Sequence, residues 1–208
     1  METAIATGEH WRGEIRYQRN NGEMLWLDAT LVPRHDTTGD IVALIMICFD
    51  ITQQVIIRER LHYRAHNDAL TKTLNRQGFH IRSRKKISIA NARNEQVVIA
   101  ILDLDNFKDI NDYYGHAAGD EVLRSFSSRI KNCLAQGTLL GRLGGDEFAL
   151  TFIKGIDELD VQQLFQQIVE QTQTPLRLQS TQQEISLSVS IGVASYPCHG
   201  VNFSSVLK

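Results

Sequence analysis

Three stretches within the first fifty residues show the hydrophobic and turn-forming pattern of β-strands. The predicted strands cover residues 14–19, 24–32 and 41–49. An Asn-Asn-Gly sequence at residues 20–22 predicts a turn between the first two, and residues 33–40 predict a second loop. Residues 41–49 are a run of nine apolar residues rich in β-branched side chains, which favours a buried strand over an amphipathic helix. The pattern predicts an antiparallel meander of three strands.

A helix is predicted directly after the meander, over residues 53–66, with Thr52 as its N-cap. Its apolar residues form a loose stripe, which consists of Val55, Ile56, Ile57, Leu61 and Ala65. The stripe is about two heptads long, which is too short to predict a coiled coil. We therefore expect residues 52–66 to be a connecting helix.

From Asp68 onward, helical and strand-like patterns alternate. Helices are predicted over residues 76–93, 119–135 and 158–172, and strands over residues 96–105, 138–143, 148–153 and 184–194. The strand at 96–105 is continuous enough to be buried on both faces, whereas the one at 184–194 alternates and predicts a half-buried strand. This order predicts a sheet with helices packed on it, an α/β or α+β fold.

Composition narrows the class of protein. The 208 residues include 22 basic and 24 acidic side chains, a net charge of −2, so we expect no nucleic-acid partner. Three cysteines, odd in number and far apart, exclude a disulfide scaffold and favour reduced thiols. No apolar run approaches the roughly 20 residues of a membrane-spanning helix, and residues 1–8 lack the pattern of a secretory signal. We expect a cytoplasmic chain without a membrane segment, so that any membrane anchor would lie outside these residues.

Two aspartates, Asp103 and Asp105, stand at the end of the predicted buried strand. Strand alternation places both side chains on one face, where two carboxylates repel each other unless a cation lies between them. Mg²⁺ suits such a pair because it binds carboxylate oxygens and completes its shell with water and phosphate. For these two residues alone, solvated acids at a strand end are an equally good interpretation.

A second acidic pair occupies a predicted turn, in the sequence Gly144-Gly145-Asp146-Glu147-Phe148. Two glycines between strands permit a tight hairpin with positive φ angles. A polar hairpin turn is the simpler interpretation of Gly-Gly-Asp alone. The full five-residue run, with an Asp-x-Asp strand upstream, favours a chemical role.

The segment between these two motifs carries groups that suit a nucleotide. A turn after the Asp-x-Asp strand would offer backbone N–H groups and the Lys108 side chain to phosphate. Asn111 and Asp120 could pair with a purine edge, and a carboxylate that accepts from two adjacent N–H donors selects guanine. Asp120 also suits the first turn of a helix, where an acid is favoured by the helix dipole, and the two roles are compatible.

Together these motifs resemble the GGDEF family, the diguanylate cyclases. The resemblance rests on three blocks, residues 68–76, 103–120 and 144–148, of which the last is the family signature. Residues 10–66 resemble the back half of a PAS sensor domain, in the sequences Trp11-Arg-Gly-Glu14 and Asp50-Ile51-Thr52.

The resemblance implies an α+β fold, in which a palm-like, ferredoxin-type sheet with packed helices follows the antiparallel half of a PAS domain and a connecting helix. The implied domains are residues 1–51 for PAS, 52–66 for the linker helix and 67–208 for GGDEF, without the family's last helix and strand. We expect weak or no activity from this chain by itself.

The implied reaction condenses two GTP molecules, one on each subunit of an antiparallel homodimer, into cyclic di-GMP with loss of pyrophosphate. Mg²⁺ or Mn²⁺ would be held by Asp103, the Leu104 carbonyl and Asp146, with assistance from Glu147. Asp146 would also help to deprotonate the attacking 3′-hydroxyl, and Lys108 would neutralise phosphate charge.

The implied guanine contacts are Asn111 and Asp120, and the same segment contributes Phe107 and His116 to the substrate-binding positions. For His116 alone, a structural role is the favoured interpretation. The family's product-inhibition motif would fall at Ala135 and Thr138, which do not match it, so we expect no feedback inhibition through that site.

Two other functions stay open at this point. A non-catalytic GTP-binding module could control a partner or a phosphodiesterase domain that follows this chain. A sensor fragment that serves only for dimerisation would suit residues 10–66, but it would leave the carboxylates without a role.

Overall fold

The computed structural model describes residues 9–154 and 158–200. The chain forms two compact units, one that ends at His62 and one that begins at Tyr63. No helix among the described residues is both long and apolar enough to span a membrane.

The first unit contains the predicted three-stranded antiparallel meander, in the order β1-β2-β3. Its strands are β1 (Trp11–Gln18), β2 (Met24–His35) and β3 (Ile41–Asp50). β2 continues through Pro33, which the sequence placed in a loop. Pairing with β3 holds Pro33 opposite Leu44, and the register shifts only afterwards, between Arg34 and His35.

Residues 41–49 form a strand, but the expectation that this strand is buried was wrong. The apolar side chains of β3 are exposed by 42% to 67%, and they belong to Ile41, Val42, Leu44, Ile45, Met46, Ile47 and Phe49. β3 is an edge strand that pairs only with β2 among the described residues. An apolar run is buried only where other elements lie over it, and the described part of this unit supplies none for β3.

The connecting helix α1 (Thr52–His66) has the predicted extent, but Thr52 is not its N-cap. The Thr52 hydroxyl accepts the Trp26 N–H at 2.9 Å, and the Thr52 N–H donates to Asp50 Oδ1 at 2.9 Å. The side chain of Thr52 therefore joins the start of the helix to β2. Further along, Arg58 donates two hydrogen bonds to Glu14 on β1, at 3.0 and 2.8 Å.

The second unit is built on a five-stranded sheet in the order β10-β5-β7-β6-β4. These strands are β4 (Leu74–Asn75), β5 (Val97–Leu104), β6 (Leu139–Gly144), β7 (Glu147–Ile153) and β10 (Val189–Tyr196). β5 lies between β7 and β10 and is antiparallel to both. β6 and β7 form a hairpin, and β4 adds to β6 in parallel.

Helices cover both faces of this sheet. They are α2 (Arg76–Ala92), α3 (Phe107–Tyr114), α4 (His116–Cys133) and α5 (Glu158–Gln173). Alternate residues of β5 enter two separate cores: Leu102 and Leu104 pack with Phe126 of α4, whereas Val97 and Ile99 pack with Phe79 of α2. Burial on both faces confirms the prediction for β5, as well as the α+β fold class.

Two predictions in this unit need correction. Residues 107–114 form helix α3, where a turn was expected, because the Phe107 side chain packs into the core and starts the helix there. Residues 184–194 are not one strand. Their first part is β9 (Glu184–Ile185), which pairs with β8 (Leu176–Arg177), and only β10 joins the main sheet.

Candidate active site

The two acidic motifs meet at one end of the central strands. Asp103 is the second-to-last residue of β5, and antiparallel pairing places it opposite Glu147, the first residue of β7. Asp103 and Asp146 are half-buried, and Glu147 is exposed. Burial, followed by the negative charges of Asp146, Glu147 and Asp105, raises the pKa of Asp103. The sheet therefore concentrates negative charge at this end.

Asp105 follows the end of β5 at Leu104, and it lies close enough to Asp103 for its negative charge to contribute to the raised pKa of Asp103. The Asp105 carboxylate accepts a hydrogen bond from the Ser190 hydroxyl at 2.6 Å, and its backbone N–H donates to the Ser188 carbonyl at 3.1 Å. Hydrogen bonds from the side chains of Ser190 and Ser188 lower the pKa of Asp105, against the opposing effect of burial. Asp105 thus connects the end of β5 to Ser190, the residue of β10 that pairs with Asp103, and the placement of both aspartates on one face stays a prediction.

Gly144 and Gly145 form the turn between β6 and β7 with φ angles of 149° and 55°. Both angles are positive, as the sequence predicted, and residues with side chains rarely adopt them. The strand register shifts between Arg142 and Gly144, so the turn includes a bulge. This backbone path presents Asp146 and Glu147 next to the end of β5.

Two arginines hold this turn, and the sequence interpretation assigned a role to neither. Arg142 donates from Nε to the Gly145 carbonyl at 2.8 Å, and its Nη1 lies 3.4 Å from Asp68 Oδ1. Arg76 donates from Nε to the Leu143 carbonyl at 2.8 Å. The only local signal was position, because Arg76 ends the first matched block and Arg142 lies two residues before the signature.

The Asp68 carboxylate, which pairs with Arg142, also accepts hydrogen bonds from Thr71. Asp68 Oδ1 accepts from the Thr71 N–H at 2.8 Å and from the Thr71 hydroxyl at 2.7 Å. Burial by itself would raise the pKa of Asp68, but these hydrogen bonds and the charge of Arg142 outweigh it and lower the pKa. The first matched block and the signature turn are therefore joined by a half-buried ion pair.

The substrate-binding candidates lie on the helix pair that follows β5. Phe107 is buried and anchors α3, and Asn111 lies against Gly119 of α4. A side-chain carbon at position 119 would overlap the Asn111 amide oxygen, so only glycine permits this approach. Asp120, the next residue along α4, is exposed and lies 3.9 Å from Arg124. The helix pair brings Asn111 close to the start of the Gly119-Asp120 sequence.

Three details of this helix pair change or limit the sequence interpretation. Asp120 was expected in the first turn of its helix. Because α4 begins at His116, Asp120 instead lies beyond that first turn. Lys108 and His116 are exposed. In the part of the chain that the structure describes, neither forms a hydrogen bond or ion pair with the acidic residues of the turn.

The oxygen groups at the end of β5 fit a divalent cation. Asp103 and Asp146 supply carboxylates, and the pKa of Asp103 is raised by burial and then by neighbouring negative charges, which a cation would offset. Within residues 9–154 and 158–200, no group of three or more His, Cys, Asp or Glu side chains is arranged to hold a metal. Two carboxylates are nevertheless enough for Mg²⁺, which commonly binds one or two protein carboxylates while phosphate oxygens and water complete its coordination shell.

Comparison with known proteins identifies the same two families that the sequence motifs resemble. Residues 65–208 match the family model "Diguanylate cyclase, GGDEF domain", and residues 1–53 match a PAS domain model. Diguanylate cyclase TpbB of Pseudomonas aeruginosa strain PAO1 is 40% identical over 139 residues, which cover 67% of this chain and 32% of that protein. Cyclic di-GMP phosphodiesterase PdeR of Escherichia coli strain K12 is 30% identical over 202 residues, which cover 97% of this chain and 30% of that protein.

A solved structure of the GGDEF domain of TpbB (also YfiN) from Pseudomonas aeruginosa has a TM-score of 0.65 and 38% identity, and covers 68% of this chain and 82% of that structure. The chain spans about a third of the length of the curated relatives TpbB and PdeR. Because the GGDEF model matches well over half of the sequence, the chain belongs to the GGDEF family of diguanylate cyclase domains.

Proposed function

We propose that the second unit binds GTP and, as a homodimer, condenses two GTP molecules into cyclic di-GMP and pyrophosphate. The observation that carries this proposal is the position of Asp103 beside Asp146 and Glu147 at the end of β5, where burial and then these negative charges raise the pKa of Asp103. Phosphoryl transfer depends on positioning and on cations more than on covalent chemistry, and this end of the sheet suits both.

The proposed roles follow the positions of the residues. Asp103, the Leu104 carbonyl and Asp146 would hold Mg²⁺ or Mn²⁺, which when bound stabilises negative charge on the phosphate groups. Glu147 assists at this site, and Asp146 accepts the proton of the attacking 3′-hydroxyl. Lys108, exposed on α3, would neutralise phosphate charge.

Guanine recognition is assigned to the helix pair. Gly119 allows the Asn111 amide to lie next to the backbone that precedes Asp120. The Asn111 amide and the Asp120 carboxylate together offer the acceptors and donors that a guanine edge requires. Phe107 fixes the first turn of α3 from the core, and His116 begins α4.

A dimer is part of the proposal because the product contains two nucleotides. The described residues include one signature turn and one helix pair with these groups. Two copies of the chain, each with one GTP, would place the 3′-hydroxyl of one nucleotide near the α-phosphate of the other. The first unit would control the distance between the copies as a PAS input.

A second candidate function is a GTP-binding module that regulates a phosphodiesterase domain. It is favoured by the similarity to PdeR, a protein named as a cyclic di-GMP phosphodiesterase, which extends over 97% of this chain. In that case GTP would bind to the same groups without turnover.

The deciding experiment incubates the protein that contains this chain with GTP and Mg²⁺ and measures cyclic di-GMP by mass spectrometry. We expect product from the wild type and a loss of at least about 100-fold in Asp146→Ala, since removal of a group that stabilises the transition state has effects of this size. Glu184→Gln, an exposed change on β9, is the matched control and retains full activity. GTP binding without product in the wild type would instead support the regulatory function, and no binding at all would contradict both.

A further inference from the structure

Arg76 is the first residue of α2, and the residue before it, Asn75, is held by three contacts. The Asn75 side chain accepts the Gly78 N–H at 2.8 Å and so caps the helix. The Asn75 Nδ2 also donates to the Ala65 carbonyl at 2.9 Å, and Asn75 pairs with Arg142 in the parallel β4–β6 ladder. Arg76 therefore starts from a backbone that is tied to the strand that leads into the signature turn.

The Arg76 side chain contacts the turn on both sides. Its Nε donates to the Leu143 carbonyl at 2.8 Å, before the two glycines, and its Nη2 lies 3.7 Å from Glu147 Oε2, after them. The side chain of Arg76 is 63% exposed and that of Glu147 is 49% exposed. An ion pair this exposed adds little to stability, so its effect lies in the orientation of the turn.

The ion pair between Arg76 and Glu147 lies among several negative charges. Asp103, Asp146 and Glu147 repel one another, and Arg142 is already bonded to the Gly145 carbonyl and paired with Asp68. Among the described residues, Arg76 is the cation that forms an ion pair with Glu147. Without Arg76, no ion pair among the described residues would hold the Glu147 carboxylate in its position beside Asp103.

We propose that Arg76 is a positioning residue, which fixes the signature turn through the Leu143 carbonyl and holds Glu147 so that Asp103 and Asp146 can bind the divalent metal of the metal–nucleotide complex. This inference rests on the proposed function for the identity of the ligand. It requires no contact between Arg76 and either the metal or the nucleotide.

The test compares Arg76→Gln and Arg76→Lys with Arg84→Gln, which changes an exposed arginine two turns further along the same helix. Mn²⁺ binding in the presence of a non-hydrolysable GTP analogue is measured by electron paramagnetic resonance, and the Tm of each variant is recorded. Groups that orient metal ligands typically change metal affinity by 10–100-fold. We expect about tenfold weaker Mn²⁺ binding in Arg76→Gln, a smaller loss in Arg76→Lys, wild-type binding in Arg84→Gln and an unchanged Tm.

A second measurement, the Mg²⁺ dependence of turnover, separates positioning from substrate binding. Arg76→Gln should raise the Mg²⁺ concentration for half-maximal rate by about tenfold, while the KM for GTP at saturating Mg²⁺ stays within about twofold of wild type. Wild-type Mn²⁺ binding in Arg76→Gln would overturn the inference. If Arg76→Gln lowers the Tm, Arg76→Lys decides: weaker binding at the wild-type Tm supports the inference, and unchanged binding overturns it.

The two proposals can fail separately. Absence of cyclic di-GMP from the wild type contradicts the cyclase function, but the Mn²⁺ measurement still tests Arg76, because it needs binding alone. Wild-type catalysis combined with unchanged Mn²⁺ binding in both Arg76 variants would remove the role of Arg76 and leave the cyclase function in place.

Discussion

The two strands with the most continuous apolar sequences, β3 and β5, lie in opposite environments. β5 has a partner strand on each side and a separate core on each face. β3 is the edge of a three-stranded sheet and exposes nearly all of its apolar side chains. A hydrophobic run thus predicts a strand in both units, whereas burial depends on elements that are distant in sequence.

The candidate site lies at the end of β5, the strand that has a partner strand on each side. Asp103 is paired with Glu147 on β7 and with Ser190 on β10, so a neighbouring strand on each side holds its backbone. Functional groups are placed most accurately by elements of this kind. The difference between β3 and β5 is therefore a difference in how firmly each strand can position a side chain, and substitutions can measure it.

The largest effect is expected for Leu102→Ala in β5. Leu102 is completely buried, and a leucine-to-alanine change in a core leaves a cavity that costs about 2–5 kcal/mol. The matched control is Leu44→Ala in β3, where the leucine is 43% exposed and the same change should cost less than about 1 kcal/mol. Urea denaturation of each variant measures both free energies of unfolding. Equal losses at the two positions would mean that β3 is covered.

Most of the fold could be predicted because it depends on local pattern. The periodicity of α2, α4 and β5 and the two glycines of the turn predicted those elements to within a few residues. Helix α3 was missed, because its start depends on Phe107 in the core and its polar residues look like a loop. The break between β9 and β10 was missed, because the alternating pattern continues across residues 186–188 while the partner strand changes.

The candidate site was predictable in its acids and not in its arginines. Asp103, Asp146 and Glu147 stand in recognisable motifs, and the structure places these motifs at one end of the sheet. Arg76 is separated from its partner Leu143 by 67 residues in sequence, and Arg142 from its partner Asp68 by 74. No local pattern marks a contact over that distance.

The second prediction compares one ion pair from each unit. In the second unit, the Asp68–Arg142 pair is 22% and 15% exposed; in the first unit, Arg12 is 72% exposed and Asp28 24%. Asp68→Asn removes the charge from hydrogen bonds that are half-buried, and we expect a loss of about 1–3 kcal/mol in the free energy of unfolding. Asp28→Asn should leave the denaturation midpoint of the first unit unchanged within error.

The stability that Asp68 contributes is expected to depend on pH in a definite direction. Because the pKa of Asp68 is lowered in the folded chain, its stabilisation is fully present above the unfolded value of about 3.9 and is lost as the pH falls through the folded value. The gap in stability between wild type and Asp68→Asn should therefore be constant near neutral pH and shrink below about pH 4. Denaturation curves between pH 3 and pH 7 measure the gap, and a gap that widens on acidification would contradict this assignment.

The smallest effect is expected for Met46→Lys, which places a charge in the middle of β3. Met46 is 58% exposed, so the ammonium group can stay in water and the stability of the first unit should change by less than about 0.5 kcal/mol. The same charge on a covered strand would be buried without a partner and would unfold the unit. A lysine on an exposed edge also opposes pairing with a second chain, so the variant should self-associate less in analytical ultracentrifugation. Unfolding of the first unit by Met46→Lys in the 208-residue chain would show that β3 is covered in solution, and the contrast with β5 would then disappear.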